Sequence, residues 1–178
     1  IRFHTRVPVA APRRVTAALT DALAAEKALY IVVHANHPRE LTPAMREAVG
    51  RLTRAGIPVL AQSVLLRGVN DDPAVLEALL RGLVAMRVKP YYLHHPDLAP
   101  GTAHFRLDIA AGQRLVAALR GRISGLCQPT YVLDIPGGFG KVPLTPSAAR
   151  RDDAGGCWLV SDPAGRQHAY PPSDPDAG

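Results

Sequence analysis

The sequence predicts an α/β fold in which parallel strands form a sheet that is covered by helices. Apolar runs alternate with amphipathic segments at a spacing of about 30 residues, the length of a strand–helix–strand unit. Such a repeat requires parallel pairing through right-handed crossovers. Polar residues follow the carboxyl ends of the strands. That placement favours a barrel, although an open sheet has its crevice at the same edge.

The elements follow one another in a regular order. The expected strands lie at 1–6, 28–34, 57–66, 88–94 and 129–133. The run at 28–34 is apolar throughout, as expected of a strand that is buried on both faces. Between the strands, apolar residues recur at helical spacing. The residues expected to face inward are Val15, Leu19, Leu23, Met45, Val49, Leu52, Val75, Leu76, Leu79, Leu80, Leu83, Ile109, Leu115, Val116 and Leu119.

The helix boundaries carry recognisable signals. The first helix is expected near residues 14–27. Thr42 precedes Pro43 and Asp72 precedes Pro73, and each pair supplies an N-cap and a first-turn proline. Other predicted signals are an N-cap at Asp108, for the helix that runs to Leu119, and a stop at Gly56.

The chain is predicted to contain an α/β domain at residues 1–146, a C-terminal extension at 147–170 and a disordered tail at 171–178. Within the extension, residues 150–156 are expected to be a polar linker. The segments 158–160 and 167–170 are expected to form a hairpin.

Composition narrows the class of protein. Hydrophobic residues make up 47% and charged residues 20% of the chain, as in globular proteins. Cys127 and Cys157 cannot build a disulfide framework, so packed thiols in a reducing cytoplasm are expected. The net charge of +6 is spread over scattered arginines and only 5% of residues are aromatic, so no nucleic-acid partner is predicted. No apolar run is long enough for a membrane span.

The pattern at the start of the chain indicates a strand that already includes Ile1, so a longer polypeptide is expected.

A glycine-rich loop, residues 135–140, follows the last predicted strand and ends at Lys141. Glycines let the backbone adopt positive φ and approach a ligand closely. A lysine at the end of such a loop is a candidate for a Schiff base with a cofactor carbonyl. A phosphate-binding P-loop is excluded, because it needs a glycine where Ile135 stands and a Ser or Thr where Val142 stands. The alternative is a surface turn with a solvated lysine.

Two carboxylates stand near the ends of neighbouring strands. Asp97 follows the strand at 88–94, and Asp134 follows the strand at 129–133. If both face one cavity, they repel each other unless a cation lies between them, and a substrate ammonium is such a cation. Alternatively, Asp97 caps a turn and Asp134 meets a surface arginine.

Three histidines at strand ends allow a different interpretation. His4, His34 and His94 could bind a divalent metal that activates water, as in barrel hydrolases. Their spacing is not local, and single histidines are commonly hydrogen-bonded at the rim of a core. A third interpretation is a non-catalytic fragment.

Several long motifs, in order, resemble one family. Over residues 2–146 the chain resembles the second half of the lysine 2,3-aminomutase family of radical S-adenosylmethionine enzymes. The motifs that carry the resemblance are residues 34–38 (HANHP), 62–71 (QSVLLRGVND), 90–92 (PYY), 104–106 (HFR) and 134–141 (DIPGGFGK).

The resemblance implies a partial α/β barrel with cofactors at the carboxyl ends of the strands. It implies that Lys141 forms a Schiff base with pyridoxal phosphate, and that Asp97 and Asp134 bind the side-chain ammonium of substrate lysine. His34 and Gln62 match positions near S-adenosylmethionine. In the family, a reduced [4Fe-4S] cluster cleaves S-adenosylmethionine, and the resulting radical lets the 2-amino group of L-lysine move to carbon 3, giving β-lysine. A homo-oligomer of the full-length protein is expected.

Departures from the family pattern limit what this chain can do. The CxxxCxxC motif that binds the cluster is absent from the sequence and is expected upstream, so the chain alone is expected to be inactive. Asp72 occupies a position where well-known members have a zinc-binding cysteine, and no zinc is expected. A glutamate-specific relative is expected to lack both acids, so Asp97 and Asp134 favour lysine.

Overall fold

The computed structural model describes residues 1–24, 28–152 and 157–170. The chain divides into two compact units, Ile1–Leu144 and Thr145–Gly178. The predicted domain bounds at residues 146 and 170 stay predictions, and the predicted disordered tail lies outside the described residues.

The first unit contains a six-stranded sheet. Its strands are β1 (Arg2–Thr5), β2 (Tyr30–His34), β3 (Val59–Val64), β4 (Val88–His94), β5 (Thr130–Asp134) and β6 (Lys141–Pro143). They lie in sequential order from β1 to β6. The first five are parallel, as predicted, and β6 runs antiparallel to β5. The sheet ends at β1 and β6, so the partial barrel remains a prediction.

The described residues form the helices α1 (Val7–Ala10), α2 (Ala17–Leu23), α3 (Pro43–Arg54), α4 (Pro73–Ala85) and α5 (Ile109–Leu119). The last three begin where the sequence signals predict. Thr42, Asp72 and Asp108 each accept a backbone N–H hydrogen bond in the first turn of α3, α4 and α5, respectively, which confirms the three predicted N-caps. Gly56 has φ +77° directly after α3, as a helix stop requires.

The helices cover one face of the sheet. Side chains of α3, α4 and α5 share a buried cluster with alternate strand residues, among them Ile31, Val33, Val59, Leu93 and Tyr131. Because successive strand residues point to opposite faces, the residues between these lie on the other face. That second face carries the polar residues described below.

The register between β3 and β4 shifts once, and the shift places an aromatic residue on the second face. Ala61 pairs with Pro90, but Gln62 pairs with Tyr92, so Tyr91 is an extra residue in β4. Pro90 has no N–H to donate to the ladder, and β-bulges are found where pairing is interrupted in this way. The rings of Tyr91 and Tyr92 therefore lie against each other, with centroids 3.8 Å apart and planes tilted by 35°.

Two sequence predictions in the first unit were wrong in detail. Ile109 and Leu19 were expected to face inward, but they are 39% and 40% exposed. Helix α5 reaches the core through its later turns, at Leu115 and Leu119. The first long helix begins later than predicted: a 3₁₀ turn at Pro12–Arg14 precedes Thr16, which is the N-cap of α2. The end of the predicted helix, at residues 25–27, lies outside the described residues.

The second unit is a three-stranded antiparallel sheet of β7 (Ala149–Arg151), β8 (Trp158–Ser161) and β9 (Gln167–Tyr170). The predicted hairpin is confirmed as β8 and β9. The predicted polar linker was wrong at Arg150 and Arg151, which belong to β7 and pair with β8, and its residues 153–156 lie outside the described residues. Charged residues are compatible with an edge strand, because its outer side faces solvent. No helix in the described ranges is long and apolar enough to cross a membrane.

Candidate active site

Polar side chains gather on the sheet face opposite the helices, near the carboxyl ends of the strands. Register places His34 of β2 beside Gln62 of β3, and Gln62 beside Tyr92 of β4. His94, two residues after Tyr92, is the last residue of β4, and Asp134 is the last residue of β5. Parallel strands thus bring together residues that are far apart in sequence. This is the edge where α/β proteins bind ligands.

The glycine-rich loop at residues 135–140 reverses the chain direction, so that the following residues pair with β5. Gly137, Gly138 and Gly140 have φ of +88°, +80° and +98°, values that side-chain-bearing residues rarely adopt. The backbone N–H of Ile135 donates to the carbonyl oxygen of Gly140 at 2.8 Å and closes the loop. The chain then pairs antiparallel with β5 as β6, an element that the sequence did not predict. This pairing places Lys141 opposite Asp134.

Lys141 and Asp134 form an ion pair. The Nζ atom of Lys141 lies 2.5 Å from both carboxylate oxygens of Asp134. This hydrogen bond is the main cause that lowers the pKa of Asp134 below its usual 3.8. The two side chains are 29% and 44% exposed, so solvent screening limits the stability that the pair contributes to about 1 kcal/mol or less. Its clearest effect is to fix where the lysine amine lies.

His94 joins this pair. Its Nδ1 atom lies 3.0 Å from Oδ2 of Asp134 and 3.3 Å from Nζ of Lys141. Its side chain is only 12% exposed. Burial lowers the pKa of His94 below 6.5, and so does the Lys141 charge, while Asp134 acts in the opposite direction. Its buried Nε2 atom has no hydrogen-bond partner among the described residues.

Tyr92 forms the aromatic wall of the site. Nζ of Lys141 lies 5.2 Å from the centroid of the Tyr92 ring, within the range of a cation–π contact. The Tyr92 ring meets His94 edge-on, with centroids 5.7 Å apart. Its hydroxyl is 3.0 Å from that of Tyr91, a hydrogen bond that raises the pKa of Tyr92 above 10.

Asp97 lies outside this hydrogen-bonded group. It is exposed in the loop after β4, and within the described ranges its carboxylate makes no hydrogen bond. The guanidinium of Arg106 donates to its backbone carbonyl at 3.4 Å. The charge of Asp97 nevertheless favours the protonated form of His94, so the carboxylate acts on the same site. The structure thus brings together Lys141, Asp134 and His94, with Asp97 on the neighbouring loop.

His34 makes a separate contact with His4. Nε2 of His34 lies 3.5 Å from Nδ1 of His4, and the rings are perpendicular. Burial, and then the charge of His4, lower the pKa of His34. Gln62 flanks His34 on β3 in register. These residues lie on the same sheet face as His94.

The metal centre suggested by His4, His34 and His94 is not formed. In the part of the chain that the structure describes, no three His, Cys, Asp or Glu side chains are grouped as metal ligands. The Nδ1 atom of His94 faces Asp134 and the Lys141 ammonium, and an ammonium next to a ring nitrogen opposes binding of a cation there. The metal-hydrolase alternative therefore has no ligand set among the described residues.

His94 is the member of the site whose role the sequence did not reveal. From the sequence it was a candidate only as a metal ligand. Its position at the end of β4 was a signal that it lies close to Asp134, because the next strand in sequence, β5, ends at Asp134 and lies beside β4. The hairpin between β5 and β6, which the sequence did not reveal, was needed to bring Lys141 to both.

Comparison with known proteins agrees with the motifs. The family model described as lysine-2,3-aminomutase matches residues 116–149. A protein of Aquifex aeolicus is 48% identical over 90% of this chain, and L-lysine 2,3-aminomutase of Acetoanaerobium sticklandii is 45% identical over 83%. Glutamate 2,3-aminomutase of Clostridioides difficile is 40% identical over 82%. The chain spans 44%, 36% and 35% of the lengths of these relatives, respectively.

One solved structure shows a related fold. A radical SAM methyltransferase from Sphaerobacter thermophilus superposes with a TM-score of 0.51 and 23% sequence identity. The match covers 66% of this chain and 38% of the methyltransferase chain. At this identity the likeness concerns the fold alone.

Proposed function

Because this chain corresponds in sequence to a C-terminal portion of the lysine 2,3-aminomutase family, we propose that it is part of an enzyme that moves the 2-amino group of L-lysine to carbon 3. The observation that carries the proposal is the Lys141 amine, held on the polar face of the sheet by Asp134 and His94. We expect the chain alone to be inactive, since it spans less than half the length of its relatives.

The residues at this site fit pyridoxal phosphate. Lys141 would hold the cofactor through its amine, and the cofactor ring would stabilise an unpaired electron next to it. Asp134 holds the amine at the strand end, and Tyr92 offers an aromatic surface beside it. His94 is a buried base whose second ring nitrogen has no partner in the described part of the chain, so it can bind a further polar group.

His34 and Gln62 are the residues that we propose for S-adenosylmethionine. They are neighbours in register on β2 and β3, on the same face as Lys141. His34 is partly buried and its pKa is lowered, so it is neutral near pH 7 and able to donate and accept hydrogen bonds. The described residues do not offer a ligand group for a [4Fe-4S] cluster. We expect its cysteines outside this chain.

Asp134 and Asp97 support lysine as the substrate. A substrate side chain that ends in an ammonium would be attracted to both carboxylates, while the carboxylate of glutamate would be repelled. The relatives include enzymes named for each substrate, so sequence identity does not decide between them. The two carboxylates outnumber the Lys141 ammonium, so their charge supports the cationic amino acid. We further propose that the complete protein is a homo-oligomer in the cytoplasm, where Cys127 and Cys157 remain free thiols.

Borohydride reduction tests the proposal. The complete protein is incubated with pyridoxal phosphate, reduced and digested, and the labelled peptide is identified by mass spectrometry. We expect the label at Lys141 and none in the variant Lys141→Arg, which keeps the charge but does not form the adduct. A label on Lys89, or unchanged labelling in the variant, contradicts the proposal.

A further inference from the structure

An ammonium cannot attack an aldehyde until it has lost a proton, and the surroundings of Lys141 oppose that loss. The Asp134 carboxylate lies 2.5 Å from Nζ and stabilises the charged form by direct attraction. The same contact that positions the amine therefore keeps it protonated. A base close to Nζ would favour the loss of this proton.

Among the described residues, three side chains face Nζ of Lys141, and two of them are poor acceptors. The Asp134 carboxyl has a pKa lowered below 3.8, so it stays ionised rather than taking the proton. Tyr92 presents its ring, and its raised pKa keeps the hydroxyl protonated. His94 remains, with Nδ1 at 3.3 Å from Nζ. We propose that His94 accepts the proton of the Lys141 ammonium and thereby produces the amine that attacks the aldehyde of the cofactor, an inference that rests on the proposed function.

The position of Nδ1 suits this transfer. The same ring nitrogen lies within reach of the ammonium that gives up the proton and of Asp134 Oδ2, which stabilises the imidazolium afterwards. The positive charge only moves from one neighbour of Asp134 to the other, so the net charge of the group does not change. The transfer uses the tautomer with hydrogen on Nε2, in which Nδ1 accepts from the Lys141 ammonium; Nδ1 donates to the Asp134 carboxylate only after the proton has moved.

Burial and charge keep His94 ready to accept. Burial and the Lys141 charge lower its pKa below 6.5, so the ring is neutral near pH 7. Once the proton has moved, the Lys141 charge no longer opposes protonation, while the two carboxylates still favour it. The ionisable groups that face His94 or act on it by charge are Lys141, Asp134, Asp97, Tyr92 and His34.

The step balances in atoms and charge. One proton passes from Nζ to Nδ1, and the freed electron pair on Nζ forms a bond to the aldehyde carbon. The carbonyl oxygen leaves as water with two hydrogens, one from the amine and one returned by the imidazolium. The product is a protonated carbon–nitrogen double bond, and His94 is neutral again.

The test measures how fast Lys141 reacts with aldehydes as a function of pH. The complete protein is mixed with pyridoxal phosphate, and the imine absorbance is followed. In the unchanged protein, we expect the rate to rise as pH increases through a value below 6.5 and then to level off. If the rate in the unchanged protein keeps rising through the alkaline range, as for an amine that loses its proton to water, the inference is overturned. This comparison needs no variant.

The variant His94→Asn removes the base but keeps an amide that can donate to Asp134. We expect its rate near neutral pH to fall by roughly 100-fold, the usual range for loss of a general base. Added imidazole should restore part of the rate. The matched control is His104→Asn, which changes an exposed histidine outside the site and should leave the rate unchanged. Equal rates for His94→Asn and the unchanged protein contradict the inference.

A second probe separates this inference from the proposed function. Acetaldehyde with cyanoborohydride labels reactive amines without any cofactor site, and mass spectrometry reports Lys141 alone. One outcome is that the pH dependence of acetaldehyde labelling at Lys141 changes in His94→Asn, while the protein does not bind pyridoxal phosphate. This result supports the role of His94 and refutes the cofactor assignment. Pyridoxal phosphate bound at Lys141 at a rate independent of His94 supports the function and refutes the inference.

Discussion

Lys141 lies directly opposite Asp134 in the antiparallel register of β5 and β6, although a glycine loop separates the two residues along the chain. Opposed residues of paired strands bring their side chains to the same face of the sheet. The contact at 2.5 Å is therefore set by strand pairing. The loop supplies the reversal that the pairing needs.

Replacing Asp134 should weaken binding of the substrate side chain. In Asp134→Asn we expect the affinity for L-lysine to fall about tenfold, or about 1.4 kcal/mol, a modest loss because the carboxylate is partly exposed. Calorimetric titration of the complete protein measures this. Norleucine lacks the side-chain ammonium and should bind equally to both proteins, and Asp21→Asn on α2 serves as the control. Unchanged lysine affinity would count against the ammonium site.

The glycine loop should be sensitive to a single methyl group. Gly140 has φ +98°, and no atom lies within 4 Å of the position that a Cβ would occupy, so Gly140→Ala introduces backbone strain without a clash. We expect a loss of about 1–2 kcal/mol in the free energy of unfolding, measured with urea, and slower aldehyde labelling of Lys141. Gly125→Ala, also without a close neighbour but not at positive φ, should change neither. Equal stability of the two variants would show that the loop conformation is not strained.

Packing behind the site leaves no room at Gly112. A Cβ there would lie 2.1 Å from the Tyr131 hydroxyl, which is hydrogen-bonded to Nδ1 of buried His95 at 2.7 Å. We expect Gly112→Ala to lower the free energy of unfolding by about 1–3 kcal/mol, as overpacked cores do. Gly50→Ala in α3 would meet only the end of the Arg54 side chain and should be neutral or slightly stabilising.

A double variant checks the cause of that effect. Tyr131→Phe removes the hydroxyl that the new methyl group would strike, so Gly112→Ala should cost less in its presence than alone. A thermodynamic cycle of the four proteins gives the coupling. If the two changes simply add, the clash with the hydroxyl is not the cause.

The second unit should lose order in acid. Hydrogen bonds from His168 and from Arg166 lower the pKa of Asp162 to about 2 from its usual 3.8. A lowered pKa means that the ionised carboxyl stabilises the folded turn above the usual pKa, and that this contribution disappears as pH falls from 3.8 towards 2. Trp158, the single tryptophan of the chain, reports on β8 by fluorescence. Asp162→Asn should abolish a transition in that range, and a transition that persists in this variant would belong to another group.

Local chemistry was enough to predict most of the secondary structure. The helix starts predicted at Thr42, Asp72 and Asp108 are confirmed. They could be predicted because an N-cap side chain satisfies backbone N–H donors only a few residues away. The predicted strand at 88–94 matches β4 at both ends. The strand β7 was missed because Arg150 and Arg151 carry no apolar pattern, and their pairing with β8 is decided by backbone hydrogen bonds.

The sequence also indicated the candidate residues of the site, though not their geometry. Lys141, Asp134 and Asp97 were predicted from the loop, from strand ends and from the family resemblance. Their roles towards cofactor and substrate remain proposals. The metal interpretation of His4, His34 and His94 failed, because a strand-end position says which edge a side chain occupies and not what it contacts.

By itself, the sequence determined the order of strands and helices, the N-caps of the helices and the flexible glycines before Lys141, because these depend on residues close together in the chain. Only the tertiary structure decided that β6 folds back on β5 and that β4 lies beside it. Those two pairings bring the amine of Lys141, the carboxylate of Asp134 and the buried ring of His94 into contact. Contacts between distant segments depend on strand register and on burial, and neither can be read from a local pattern.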